Sequence, residues 1–284
     1  MSSTIAHIRQ TLLPLYGKEE AAALTRIICC EMLGQSATDF FLGKDIALSP
    51  NQKTFLQSIL QRLHDFEPIQ YIQQEAPFMG HRYYVAPGVL IPRPETEELV
   101  QHLLELLSPE ARVLDIGTGS GCIAVSLSLA LPQASVSACD ISEAALTIAC
   151  INNDRLQAKV SFFQTDILNY TPLPEDTSNY DAFVSNPPYI TRKEANDMEP
   201  NVLRYEPHEA LFVPNDDPLL FYRHISALGI SMLKPGGLLA FEVNRAYAHE
   251  VQQLLQEQGY QDVRILQDLF GNNRYVFAIN GKTI

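Results

Sequence analysis

Basic residues are scarce in this 284-residue chain: 20 Lys and Arg stand against 33 Asp and Glu, a formal net charge of -13. So acidic a protein has no general attraction for a phosphate backbone; direct nucleic-acid binding is not expected, and a basic partner suits it better. Cysteine is equally sparse. There are five, Cys29 and Cys30 adjacent, and none falls in a C-x-x-C or His-flanked pattern, which excludes a zinc site or a disulfide framework and reads as reduced, mostly buried thiols. Long apolar runs are missing as well. Arg9, Lys18, Glu19 and Glu20 interrupt the first helical patterns, and nowhere do about 20 apolar residues follow one another. No membrane partner, no metal and no internal repeat are expected, and the reading is a soluble, cytoplasmic monomer.

What is present is a change of texture along the chain. Up to about Phe66, apolar residues recur at helical spacing (Ile5, Ile8, Leu12, Leu15), with Ser2, Ser3 and Thr4 as candidate caps, Ser36 with Asp39 as a variant cap, and Ser49-Pro50 as a cap followed by an N1 proline. Between Pro68 and Pro94, β-branched and aromatic residues broken by Gly80, Pro87 and Gly88 predict a hairpin linker. From Glu95 onward helix and strand patterns alternate, which predicts an α/β domain with a mainly parallel sheet. The expected division is a helical domain over residues 1–74, a linker over 75–94 and an α/β domain over 95–284.

The run V-L-D-I-G-T-G-S-G-C-I, residues 113–123, is a strand that opens through Gly117, Gly119 and Gly121 into a helix. Glycines let a ligand approach the backbone, and a helix N-terminus offers unpaired N–H groups. The spacing is not the G-x-G-x-x-G of dinucleotide folds, because Cys122 follows Gly121. Asp115, just before the loop, would repel a pyrophosphate yet suits a cofactor that carries an ammonium group. Asp140 ends the next strand, where a carboxylate can accept both ribose hydroxyls, and Asp166 with Ile167 ends the third, an acceptor and an apolar wall for an adenine. These residues point to S-adenosylmethionine, with S-adenosylhomocysteine as product, and the chain resembles the Rossmann-like methyltransferases. Asp115, Gly117, Thr118, Gly119, Ser120, Gly121, Asp140, Asp166 and Ile167 are the candidate cofactor residues, with Asn186 at their edge.

The fourth strand ends in V-S-N-P-P-Y-I, residues 184–190. Two prolines remove two donors and fix φ, so the carbonyls of Asn186 and Pro187 lack local partners. The nitrogen of an amide or an aromatic amine is a poor nucleophile because its lone pair is delocalised. The Asn186 side chain and the Pro187 carbonyl, two acceptors, would hold both N–H bonds of an –NH₂ group and stabilise positive charge as it grows there, while Pro188 and Tyr189 complete the motif and Tyr189 packs on a flat substrate group. Asn186, Pro187 and Tyr189 are therefore candidate catalytic residues, and with Pro188 candidate substrate-binding ones. The motif is shared by enzymes that methylate adenine, cytosine, guanine or glutamine, so it gives the reaction and leaves the substrate open.

Further stretches carry a closer likeness. E-P-I-Q-Y-I at Glu67, F-M-G at Phe78, V-A-P-G-V-L-I-P-R-P-E-T-E from Val85, Y-E-P-H-E-A-L-F from Tyr205 and L-K-P-G-G from Leu233, together with the N-P-P-Y motif and the leading helices, resemble the bacterial peptide-chain release factor glutamine methyltransferases over nearly the whole chain. The resemblance implies methyl transfer from S-adenosylmethionine to the glutamine of the Gly-Gly-Gln loop of class-1 release factors, and a helical domain that grips that protein. Arg93 and Glu95 would shape the lid or the cofactor's carboxylate end, and Glu206 with His208 lies in a long loop that suits a substrate-facing lid. Where the family tends to show glycine and glutamine after F-E-V, this chain has Asn244 and Tyr247, in a region expected to be peripheral. Three rivals stay open: a ribosomal-protein glutamine methyltransferase, a nucleobase methyltransferase, which would call for a basic cleft, and a non-catalytic S-adenosylmethionine-binding module, which has no reason to keep Asn186 and Tyr189.

Overall fold

The computed structural model describes residues 3–172 and 179–281. In chain order it contains α1 (Thr4–Arg26), α2 (Ala37–Phe41), α3 (Pro50–His64), α4 (Ile69–Gln73), the hairpin β1 (Glu75–Phe78) and β2 (His81–Tyr84), then α5 (Pro94–Leu106), β3 (Arg112–Ile116), α6 (Cys122–Ala130), β4 (Ser135–Asp140), α7 (Glu143–Leu156), β5 (Val160–Gln164) and β6 (Tyr180–Ser185). The remainder is β7 (Ile190–Thr191), α8 (Pro200–Tyr205), α9 (His208–Leu211), β8 (Phe212–Val213), α10 (Leu220–Met232), β9 (Leu233–Glu242), α11 (Ala248–Glu257), β10 (Gln261–Gln267) and β11 (Asn273–Ile279). The chain forms two compact units, one of Met1–Glu75 with Glu199–Tyr205 and one of Ala76–Met198 with Glu206–Ile284. Among the described residues, no helix is long and apolar enough to cross a membrane.

In the helical unit the caps fall where the sequence puts them. Ser3 Oγ accepts from Ala6 N at 3.2 Å, Ser36 Oγ accepts from Asp39 N at 3.1 Å, and Ser49 makes a reciprocal capping box with Gln52; Ser2 lies outside the described residues. Ile8, Leu12 and Leu24 of α1 and Ile59 and Leu63 of α3 bury one face of these two helices in a shared core. The stretch after Pro68, expected to begin the hairpin, winds instead as α4, because Ile69, Tyr71 and Ile72 bury on it; extended structure starts only at Glu75.

In the other unit, the seven-stranded sheet runs in the order β10-β11-β9-β6-β3-β4-β5, parallel from β9 to β5, with β11 antiparallel to both of its neighbours. Both sheet faces are buried, as the near-continuous apolar strands require. Val113, Ala182 and Val184 face the core built with α5 and α6, whereas Leu114, Ile116 and Phe183 face the core built with α10 and α11. Phe183 is wholly buried, which stabilises the fold by about 2–3 kcal/mol relative to exposure.

The parallel register brings the C-terminal ends of β3, β4, β5 and β6 to one edge. Gly121, φ 80°, closes the first turn there: a Cβ on it would meet Ala149 Cβ at 3.0 Å. Gly121→Ala is therefore expected to cost about 2–4 kcal/mol from left-handed strain and overpacking, read as a drop in the denaturation midpoint at unchanged slope.

Candidate active site

A cavity of about 470 Å³ opens at that edge. Another of about 680 Å³, in the helical unit between α1 and α2, is larger, but no glycine loop or strand-end carboxylate faces it. Of the sequence-predicted residues, Gly117, Thr118, Gly119, Ser120, Asp140, Asp166, Ile167, Asn186, Pro187 and Pro188 line the 470 Å³ cavity together, while Asp115, Gly121 and Tyr189 are not part of its lining.

The glycine loop is shaped by hydrogen bonds that consume its donors. Gly117 N and Thr118 N both donate to Cys139 O, at 2.9 and 3.0 Å, and Gly119 N donates to Asp140 Oδ2 at 2.9 Å. These three loop amides are thus engaged within the fold, ahead of the helix N-terminus at Cys122. At Gly119, φ is 54° and a Cβ would meet nothing within 4 Å, so a ligand can come against bare backbone. The carbonyl side of the loop is held as well: Asn152, wholly buried, donates to Ser120 O at 2.8 Å and to Tyr84 O at 2.9 Å.

Asp140 accepts from Gly119 N through one oxygen and from Ser142 N through the other, both at 2.9 Å. An ionised carboxylate has about four lone-pair sites, so two remain for hydroxyls of a ligand. Asp166 is likewise tied locally, accepting from Leu168 N at 3.0 Å and Asn169 Nδ2 at 2.7 Å, which sets Ile167 on the cavity wall. Two wall thiols, Cys122 and Cys139, are pushed up to about 12 by burial; they are uncharged, inert surface at neutral pH.

Asp115 is fully buried beneath the loop. Its Oδ2 accepts from Thr118 Oγ1 at 2.6 Å and Ala124 N at 3.2 Å, and its Oδ1 has no partner. Burial raises its carboxyl from 3.8 to about 7, against the lowering effect of those two donors. A folded pKa above the unfolded one stabilises the fold fully below about pH 4 and loses that contribution as pH rises through about 7. The loss is at most about 4 kcal/mol, which Asp115→Asn removes. Denaturant unfolding of the free protein at pH 5 and pH 8 is therefore expected to show the Asn variant gaining on wild type at the higher pH.

Asn186 is held from behind. Its Nδ2 donates to Thr96 Oγ1 at 3.3 Å, and Thr96 Oγ1 donates to Glu242 Oε2 at 2.7 Å. Glu242, wholly buried in β9, accepts through Oε1 from the Tyr189 hydroxyl at 3.2 Å. Burial pushes the Glu242 carboxyl up; Thr96, Arg274 and Tyr189 oppose that shift. The phenol of Tyr189 is raised too, first by burial and then by the Glu242 charge. Among the described residues, no donor reaches the Pro187 carbonyl.

Arg93 lines the cavity and pairs with Glu206, 4% exposed, at 2.5 Å; Glu206 also accepts from Ile91 N at 3.1 Å, so it ties the long loop to the linker. Glu95 stays off the wall, its carbonyl accepting from the Tyr275 hydroxyl at 2.7 Å. His208 sits edge-on to Phe212, their ring centres 5.2 Å apart. Asn244, in the stretch expected to be peripheral, in fact donates to Tyr189 O at 3.3 Å and Glu194 Oε1 at 3.1 Å. Residue-type reading missed Thr96, Asn152, Glu242 and Asn244. Only Glu242 carried a signal: an acid inside the apolar strand L-L-A-F-E-V, where charge is rarely buried unless paired.

These features fit an S-adenosylmethionine-like molecule. The bare backbone at Gly119, the spare acceptors of Asp140, the apolar Ile167 and the partnerless Asp115 Oδ1 match a nucleoside joined to an ammonium-bearing chain.

Comparisons with known proteins agree. Residues 94–204 match the methyltransferase small domain family and residues 5–73 match the PrmC N-terminal domain family. A release factor glutamine methyltransferase of Bacteroides thetaiotaomicron is 49% identical over 278 residues, 98% of this chain and 99% of its own length. One from Flavobacterium psychrophilum is 38% identical over 272 residues, 94% of each chain. The crystal structure of a methyltransferase from Pyrococcus furiosus, 17% identical, superposes with a TM-score of 0.54 over 82% of this chain and 100% of that one, a likeness of fold alone.

Proposed function

This chain belongs to the release factor glutamine methyltransferases, and on that premise we propose that it methylates the side-chain nitrogen of the glutamine in the Gly-Gly-Gln loop of class-1 release factors, supporting translation termination. S-adenosylmethionine, when bound, supplies an electrophilic methyl on its sulfonium. Asp140 would accept the ribose hydroxyls, Asp166 and Ile167 would flank the adenine, and the loop from Gly117 to Gly121 would let the cofactor lie against backbone. Asp115 would balance the cofactor's ammonium from beneath the loop.

The Asn186 side-chain oxygen and the Pro187 carbonyl would accept the two N–H bonds of the glutamine amide. They would hold its nitrogen in line and stabilise positive charge as it develops. Pro188, which has no N–H, offers no competing donor. Once transfer is complete, the alkylated amide is acidic enough to release its proton to water. The helical domain, residues 1–74, would recognise the release factor, and the acidic chain suits a protein that itself binds RNA.

The observation that carries this reading is the shared cavity: Asn186, Pro187 and Pro188 line the same space as Gly119 and Asp140. Mass spectrometry of a release factor and of ribosomal proteins, each incubated with the protein and S-adenosylmethionine, tests it. One methyl gained on the Gly-Gly-Gln glutamine is expected. A methyl found only on a ribosomal-protein glutamine, or on nucleic acid in a parallel assay, would overturn the choice of substrate.

A further inference from the structure

We propose that Thr96 and the buried Glu242 are positioning residues: they form a one-way hydrogen-bond relay that fixes which face of the Asn186 amide the substrate meets. The inference deepens the proposed function and rests on it.

Hydrogen count sets the direction of each bond in the relay. In its ionised form Glu242 has no hydrogen to give and can only accept. The single hydroxyl hydrogen of Thr96 is committed to Glu242 Oε2 at 2.7 Å. Thr96 Oγ1 can then only accept, and the group facing it at 3.3 Å must be the Asn186 –NH₂. The flipped amide would set two acceptors against each other. With Nδ2 turned to Thr96, Asn186 Oδ1 is left as the free end, the acceptor a glutamine –NH₂ needs; an asparagine held the other way round would offer the substrate a donor and repel it.

The second oxygen of the same carboxylate accepts from the Tyr189 hydroxyl, so the first and last residues of the N-P-P-Y motif hang on one buried group of β9. Thr96 is in the first turn of α5, and Glu242 lies next to β6 because β6 and β9 pair in parallel with Ser185 opposite Phe241. The relay thus spans three elements, and neither Thr96 nor Glu242 need touch the reacting atoms. Burial raises the Glu242 carboxyl, while Thr96, Arg274 of β11 and Tyr189 oppose that rise and favour the ionised, accept-only form on which the relay depends. Tyr189, bound to Glu242 through its hydroxyl, takes the part of a tether for the motif.

The test compares Thr96→Val, which keeps the shape and removes the hydroxyl, with Thr96→Ser, which restores it. With a release factor as substrate, the Val variant is expected to lose at least about tenfold in kcat, while its KM for the release factor and its cofactor affinity stay within about threefold of wild type. The Ser variant should recover most of the rate. A kcat within about twofold of wild type in Thr96→Val, an equal loss in Thr96→Ser, or a loss that tracks cofactor binding would overturn the relay.

A second readout needs no turnover and no variant of Thr96. In the wild-type protein with ¹⁵N-labelled asparagine, the Asn186 side-chain signal, assigned by its absence in Asn186→Asp, should show one amide proton protected from exchange; two freely exchanging protons would overturn the inference. Wild-type protein that leaves the release factor unmethylated would refute the proposed substrate, and the Asn186 proton signal would still decide the orientation.

Discussion

Asn186→Ala is expected to lower kcat by about 10²–10³-fold, a loss of about 3–4 kcal/mol of transition-state stabilisation, while cofactor affinity stays within a few-fold. The size follows from what the side chain does. Its Oδ1 is the acceptor that the Thr96 contact leaves free, at the wall of the cavity, and in the proposed reaction it would face a nitrogen that gains positive charge only as the methyl arrives. Such an interaction is stronger in the transition state than in the ground state, so its removal appears in kcat and not in substrate binding. Cofactor affinity is spared because Asp140, Ile167 and the glycine loop remain. Single-turnover methylation of a release factor, set beside calorimetry of cofactor binding, separates the two quantities, and retained turnover would sink the assigned role.

The second large effect is at Asp140. Asp140→Ala should weaken S-adenosylmethionine binding by about 1–3 kcal/mol, through loss of charge-assisted hydrogen bonds to the ribose. The structure adds a second cause: the same carboxylate accepts from Gly119 N and Ser142 N, so its removal also frees two buried or half-buried donors and unpins the loop. Asp140→Asn tells the causes apart. Its oxygen can still accept one backbone donor, but its –NH₂ faces the other, so a loss in Asn as large as in Ala points to the loop and a smaller one to the hydroxyls. Affinity unchanged by calorimetry in Asp140→Ala would show that the ribose assignment is wrong.

Much of this site could be read from residue order. The G-T-G-S-G run, Asp140 at the end of one strand and N-P-P-Y at the end of another are local patterns, each fixed by backbone conformation or by missing donors, and β3, β4, β5 and β6 occur where the alternating texture predicts them. Register then does the assembly: parallel strands bring all their C-terminal ends to one edge, so motifs tens of residues apart in sequence share one cavity. Other features were not legible. Asp115 reads as a cavity carboxylate, yet its parity along β3 puts it on the side of Val113, under α6, where burial raises its pKa. Residue order does not show that Cys139 O and Asp140 claim the amides of Gly117, Thr118 and Gly119 across the β3–β4 neighbour pair. Asn244 reads as a local departure and turns out to hold the backbone of Tyr189.

By itself, the sequence determined the class of fold and the caps of the leading helices, and it named the candidate groups for an amide methylation, because those depend on periodicity and on which donors and acceptors each residue owns. The tertiary structure alone decided which of those groups line the cavity and which do not, and it gave the Asn186 amide its orientation. Hydrogen-bond direction is a property of a closed network, and this one joins Thr96, the Asn186–Tyr189 motif and Glu242, three separate stretches of chain that only folding links through contacts of 2.7–3.3 Å.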